Sequence, residues 1–175
     1  MSITVPDFAP SDGAVLTLWV PTLANPAAPT LAELTGANAL MLSCYWQKDQ
    51  DPAWEADTAT EEDNPACLKD TIRRPGRTTW TAEALAYRAD PQNPESVANK
   101  AYMTLLEDLR GFLVQRHGKY VEDFPKIEAG DVVTVWSALL GKQAFQRQEE
   151  NGKVTVRQDI FETRRMAKDY LVPAA

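Results

Sequence analysis

"YRADPQNPESVANKAYMTLLEDLRGFLVQRHG", residues 87–118, carries a strand end, a turn, a capped helix start and a second strand in one continuous run. Asn93 can cap, Pro94 suits a first helical position, and Glu95 favours the positive end of a helix. Val97, Ala101, Leu105 and Leu109 recur at the spacing of one helical face, so the pattern predicts a helix that ends at Gly111. "FLVQRHG" (112–118) then reads as a strand turning at Gly118. The segment is well ordered by these signals, yet it offers almost none of the residue types that catalysis uses.

On either side of it the chain reads as β. "AVLTLWV" (14–20) is an apolar, β-favouring run with Val15, Leu18 and Val20 among its expected buried positions, and Pro21 stops it. Thr30 and Glu33 have the spacing of a capping box, and Gly36 offers a left-handed stop, which together frame one short helical turn. "NALMLSCYWQ" (38–47), "RTTWTAEALAYRA" (77–89), 131–140 and "KVTVRQDIF" (153–161) supply further strands, the last two separated by the turn "EENG". Strands without intervening helices predict a mainly β fold: an antiparallel sandwich or barrel with one flanking helix, formed by a single domain over 1–175. Residues 1–13 and 163–175 read as terminal arms. Residues 48–76 show no period and hold Pro52, Pro65 and Pro75, so they are expected to form a long acidic loop, and loops of that length usually carry function or a contact.

Charge is unevenly spread along the chain, whose net value is −7. Residues 1–47 hold no Lys or Arg, and between residues 48 and 70 eight acids face only Lys48 and Lys69. The basic residues gather towards the C-terminus. Clustered Lys and Arg along a groove, which nucleic-acid binding needs, are missing. No apolar run approaches the roughly 20 residues of a membrane span, and residues 1–20 lack the pattern of a signal peptide.

The search for chemistry finds little. His117 is the only histidine and has no evident partners in its neighbourhood. Phosphate-cradling and nucleophile-elbow motifs are absent. Cys44 and Cys67 lack metal-ligand spacing and read as buried or incidental thiols. The acidic run lacks the glycine and spacing of a calcium loop, and no pair of carboxylates stands out as a hydrolase dyad. The five tryptophans sit among apolar residues, as core or interface anchors do. The expectation is a protein that is not an enzyme, with no catalytic, cofactor or metal residues.

Three stretches in series resemble the major tail (tail tube) proteins of siphophages that infect actinobacteria. They are "WVPTLANPAAPTLAELTGANALMLSCY", the opening stretch from "AYRADPQ" to "RHG", and "IEAGDVVTVWSALLG". The resemblance spans most of residues 15–165. It implies a β-sandwich with a flanking helix, six copies to a ring, and rings stacked into the hollow tube of a non-contractile tail. The tube would enclose a tape-measure protein, meet tail terminator and distal tail proteins, and pass DNA without gripping it. The subunit would reside in the virion, and in the host cytoplasm during assembly. In this frame the 48–76 segment is expected to contact the next ring through Asp49, Asp51, Trp54, Glu55, Glu61, Glu62, Arg73 and Arg74. Polar strand positions Glu83, Gln115 and Asp159 are the candidates to face the lumen. The competing readings are a tail terminator or head–tail connector ring, a monomeric β-barrel binding a small ligand, and a carboxylate-based hydrolase.

Overall fold

The computed structural model describes residues 8–46, 51–63, 67, 69–147 and 152–174. It is mostly β, with antiparallel sheets forming a half-barrel and little helix. The elements are β1 (Val15–Val20), α1 (Leu31–Thr35), β2 (Leu40–Met41), β3 (Trp54–Asp63), β4 (Ile72–Ala82) and β5 (Leu85–Arg88). A 3₁₀ turn (Val97–Asn99), α2 (Lys100–Thr104), β6 (Arg110–His117), β7 (Val132–Phe145) and β8 (Thr155–Leu171) follow. Six strands form one sheet in the order β2-β1-β6-β7-β8-β5, while β3 and β4, among the described residues, pair only with each other. Just past β2, Trp46 bridges to Tyr87 of β5, and the Tyr45 carbonyl accepts the Arg88 N–H at 2.8 Å. The two ends of the curled sheet therefore touch.

Both faces of the sheet carry a core, which explains why β1 is buried throughout Leu16–Val20. Alternation sorts the side chains. Trp19, Leu113, Trp136, Ala138, Leu140, Val156 and Ile160 point to the concave side, where they meet Leu85, Tyr87, Ala101 and Leu105. Leu16, Leu18, Val20, Val114, Val133 and Val135 point to the convex side, where Leu23, Leu34 and Ile127 cover them. Val15, expected to be buried, is only half-buried at the strand's start.

The capping box at α1 forms as its spacing predicts. The Thr30 hydroxyl oxygen accepts the Glu33 N–H, and the Glu33 carboxylate accepts the Thr30 N–H at 2.8 Å. Hydrogen bonds from the Ala24 N–H, then from Thr30, hold the Glu33 carboxyl below its ordinary range. Gly36 departs from expectation. Its φ of −66° and ψ of 165° are extended, so α1 ends by running straight into the next segment rather than by a left-handed cap.

Three further expectations need correction. The helix expected from Asn93 to Gly111 is two short pieces, started by Ser96, whose hydroxyl accepts the Ala98 N–H. Tertiary pairing stops it: Asp108 takes a positive φ (59°) and donates its N–H to the Leu140 carbonyl, and Leu109 accepts the Leu140 N–H. The 105–109 segment is thereby drawn into the β6–β7 ladder, while Ala101 and Leu105 stay buried and Val97 is 78% exposed. The strand expected over 38–47 is only Leu40–Met41, followed by a turn. The arm expected over 163–175 is instead the second half of β8, which runs to Leu171 with irregular register against β7. Positive φ at Glu162 (52°) and Asp169 (49°) marks where it kinks.

The buried glutamines, Tyr87 and Asp131 are hydrogen-bonded within this frame, whereas the indole nitrogens of Trp19, Trp46, Trp54 and Trp136 are buried without a partner. Tyr87 donates to Gln158 and accepts from Gln143, and burial pushes its hydroxyl up to about 12. The two glutamine amides also reach the carbonyls of Tyr102, Leu105 and Gly141, which ties α2 to the concave core. On the convex side Arg116, 1% exposed, donates to the carbonyls of Lys126, Phe124 and Lys119 and pairs with Asp131, itself 2% exposed. That knot pins residues 119–131 across the sheet.

Candidate assembly surfaces

The segment expected as an irregular loop over 48–76 is mostly a β-hairpin. Its periodicity lies in "WEADTAT" and "TTWTA": Trp54, Ala56 and Thr58 face Ala82, Trp80 and Thr78 across the ladder. β-Branched threonines make this a strand sequence despite its acids. At the root, Trp54 stacks on Trp136 of β7 at 4.8 Å with nearly parallel planes, and Trp80 meets the same ring edge-on at 5.0 Å. The Arg165 guanidinium of β8 lies 4.5 Å from the Trp80 ring. A cluster of three tryptophans and one arginine thus fastens the hairpin to the half-barrel.

Beyond the root, every residue from Glu55 to Asp63 is exposed. A solitary two-stranded ribbon is marginal in water. This one is held by the Thr58–Thr78 hydroxyl bond at 2.9 Å, the Arg73–Glu62 ion pair at 2.9 Å and its root. Between Thr58 and Thr60 the register shifts, and a Cβ at Gly76 would stand 3.0 Å from Glu61 Cγ and 3.1 Å from the Ala59 carbonyl.

The second surface is the outer edge of β8. β5 pairs with Thr155–Gln158, so residues 159–171 have, among the described residues, a paired strand on the β7 side alone. An edge of that length leaves backbone N–H and C=O groups ready for another strand. Large apolar side chains also stand in solvent there: Phe161 is 53% and Leu171 60% exposed. The opposite end of the sheet is blunted, because β2 is two residues long and the Ser43 hydroxyl bonds the backbone of Val15 and Thr17.

The candidates read from the sequence distribute over these surfaces unevenly. Glu55, Glu61 and Glu62 lie exposed on β3, and Arg73 and Arg74 lie exposed on β4. Asp51 lines the cleft beside the hairpin root, with His117 and Lys168. Trp54 is a root anchor, occupied by Trp136. Asp49 lies outside the described residues. Glu83 and Asp159 come together in one shallow groove with Arg157 and Phe161. Gln115 does not belong with them: it is 4% exposed, and its amide donates to the Pro52 carbonyl at 3.0 Å and towards Thr17. A side chain spent inside the subunit faces no lumen. Sequence reasoning passed over Arg77, Arg165 and Phe161, although the bulky Phe161 beside the strand's inward residues carried a usable signal.

Among the described residues no group of three or more His, Cys, Asp or Glu is placed to hold a metal ion, and no helix is long and apolar enough to cross a membrane. Cys44 and Cys67 are both free and exposed. Compared with known families, the chain matches the one described as "Phage tail tube protein" over residues 1–175. No curated protein matches it.

Proposed function

The chain belongs to the phage tail tube protein family, a structural component of the virion that self-assembles into a tube; on that premise we propose that it forms hexameric rings that stack into the hollow tail tube of a non-contractile phage tail. The match to the whole chain supports the tube. The observation that carries the ring is the edge of β8, where residues 159–171 have no second paired strand among the described residues and expose Phe161 and Leu171. A neighbouring copy completes that edge, and a head-to-tail contact that closes on itself removes it from every subunit. The tube holds a tape-measure protein during assembly in the host cytoplasm, ends at terminator and distal tail proteins, and conducts DNA at ejection. The phage host would be an actinobacterium. In this reading Glu83 and Asp159 line the passage, where negative charge keeps DNA from being held.

Negative-stain images of concentrated purified protein test this directly. Rings and stacked tubes are expected. Particles that stay monomeric under every condition, the tape-measure protein included, overturn the reading; rings that never stack favour a terminator or connector.

The hairpin is assigned to contacts with the next ring through Asp51, Glu55, Glu61, Glu62, Arg73 and Arg74. Because Trp54 and Trp80 belong to the root, a useful deletion removes only residues 59–77 and joins the strands by a short turn. The expected outcome is a chain that still unfolds cooperatively but forms no long tubes. Tubes of normal length from this variant would remove the hairpin from assembly.

A further inference from the structure

The two edges of the β3–β4 hairpin carry opposite charge. β3 holds Glu55, Asp57, Glu61, Glu62 and Asp63 and no base; β4 holds Arg73, Arg74 and Arg77 and no acid. Each strand pairs with the other along one edge only, and among the described residues neither has a paired strand on its outer side. Only the root of β4 lies against β8, through Trp80 and Arg165. Part of the charge is matched inside the hairpin, where Glu61 faces Arg74 and Glu62 faces Arg73. Part is not: Glu55 and Asp57 face Thr81 and Thr79, and Arg77 falls at the register shift.

We propose that the acidic outer edge of β3 in one copy takes the basic outer edge of β4 in the next copy, so that hairpins stand side by side around the ring. This rests on the tube reading and adds which strands meet within a ring, the collar of hairpins as a whole being what reaches the next ring. The geometry favours it. Copies related by rotation about an axis along the strands present β3 of one beside β4 of its neighbour, and these run antiparallel, as β3 and β4 already do within the hairpin. Acid and base then alternate around the ring, each strand flanked by the opposite sign. The same two edges facing their own kind place like charges together, so the contact is polar in direction: head-to-tail, closing into a ring and not into a two-fold dimer. A free ribbon of this length, marginal alone, becomes part of a closed sheet.

Two variants avoid the ion pairs inside the hairpin: Glu55→Lys with Asp57→Lys on β3, and Arg77→Glu on β4. Their unfolding midpoints are compared with wild type to establish folding, and the protein concentration at which tubes appear is measured by sedimentation and microscopy. Each variant alone is expected to need at least about tenfold more protein, since it sets like charges against each other around the ring. An equimolar mixture is expected to assemble more readily than either, because the altered β3 of one meets the altered β4 of the other. Folded variants that assemble as readily as wild type, or a mixture no better than its components, overturn the proposal while leaving the tube intact. Wild-type protein that forms neither rings nor tubes overturns both.

Discussion

Asp131→Ala is expected to cost about 3–5 kcal/mol of folding stability, because it leaves Arg116 charged and unpaired in the interior. Arg116 is 1% exposed and reaches Asp131 at 3.3 Å; Lys119 donates to the other carboxylate oxygen, and the Glu128 N–H adds a third bond at 2.9 Å. Burial by itself would raise the Asp131 carboxyl, but the bonds from Lys119, Glu128 and Arg116 outweigh it and hold the group below its ordinary value. A carboxyl lowered by folding contributes stability in full above the unfolded value, about 4, and that contribution fades as pH falls through the folded value. The difference between wild type and variant should therefore be largest near neutrality and narrow in acid. Urea denaturation at several pH values reads both quantities, provided the slope of the transition is unchanged. A loss under about 1 kcal/mol at neutral pH would mean that water or a rearranged loop satisfies Arg116. Arg116→Met is expected to cost at least as much, since the carbonyls of Lys119, Phe124 and Lys126 lose their donor together.

How far the sequence discloses this molecule depends on where each signal is local. β1 and β6 are legible because β-favouring runs end in strong stops, Pro21 and Gly118; the latter takes φ 86°. The Thr30–Glu33 box is local too, and it forms. The helix after Pro94 fails because its last turn competes with a ladder partner, Leu140, far along the chain. Helical spacing at Leu105 and Leu109 could not register that competitor. The hairpin was hidden by composition: acids and prolines suggest a loop, while the alternation of Trp54, Ala56 and Thr58 argues for a strand. Gln115 shows the same limit in reverse. Period 2 puts it on the face of Thr17 and Leu113, but only the fold brings Pro52 over that face and buries it. The assembly surfaces were legible as a region and not as edges, since an unpaired edge exists only once the pairing of every other strand is known.

The sharpest test of the packing comes from a residue with no side chain. Gly111 lies in β6 opposite Ala138, with Trp19 of β1 across its α-carbon. A Cβ there would stand 2.4 Å from Trp19 Cζ2 and 2.6 Å from Cη2, far inside contact distance. Trp19 is fully buried and cannot swing away, so the added methyl must displace the strand or the indole. Gly111→Ala is expected to cost about 3 kcal/mol, the upper end of ordinary overpacking, and Gly111→Val more. The sign is what makes this informative. Gly111 has no positive φ, so chain entropy alone predicts that alanine stabilises by about 0.4–1 kcal/mol. Trp19→Phe shortens the ring at the point of overlap, and the double variant should be less destabilised than the two single losses added together. Thermal or urea unfolding of the four proteins measures the coupling. Alanine that stabilises, or losses that simply add, would mean that β6 and Trp19 do not meet in this way and that the concave core is packed differently.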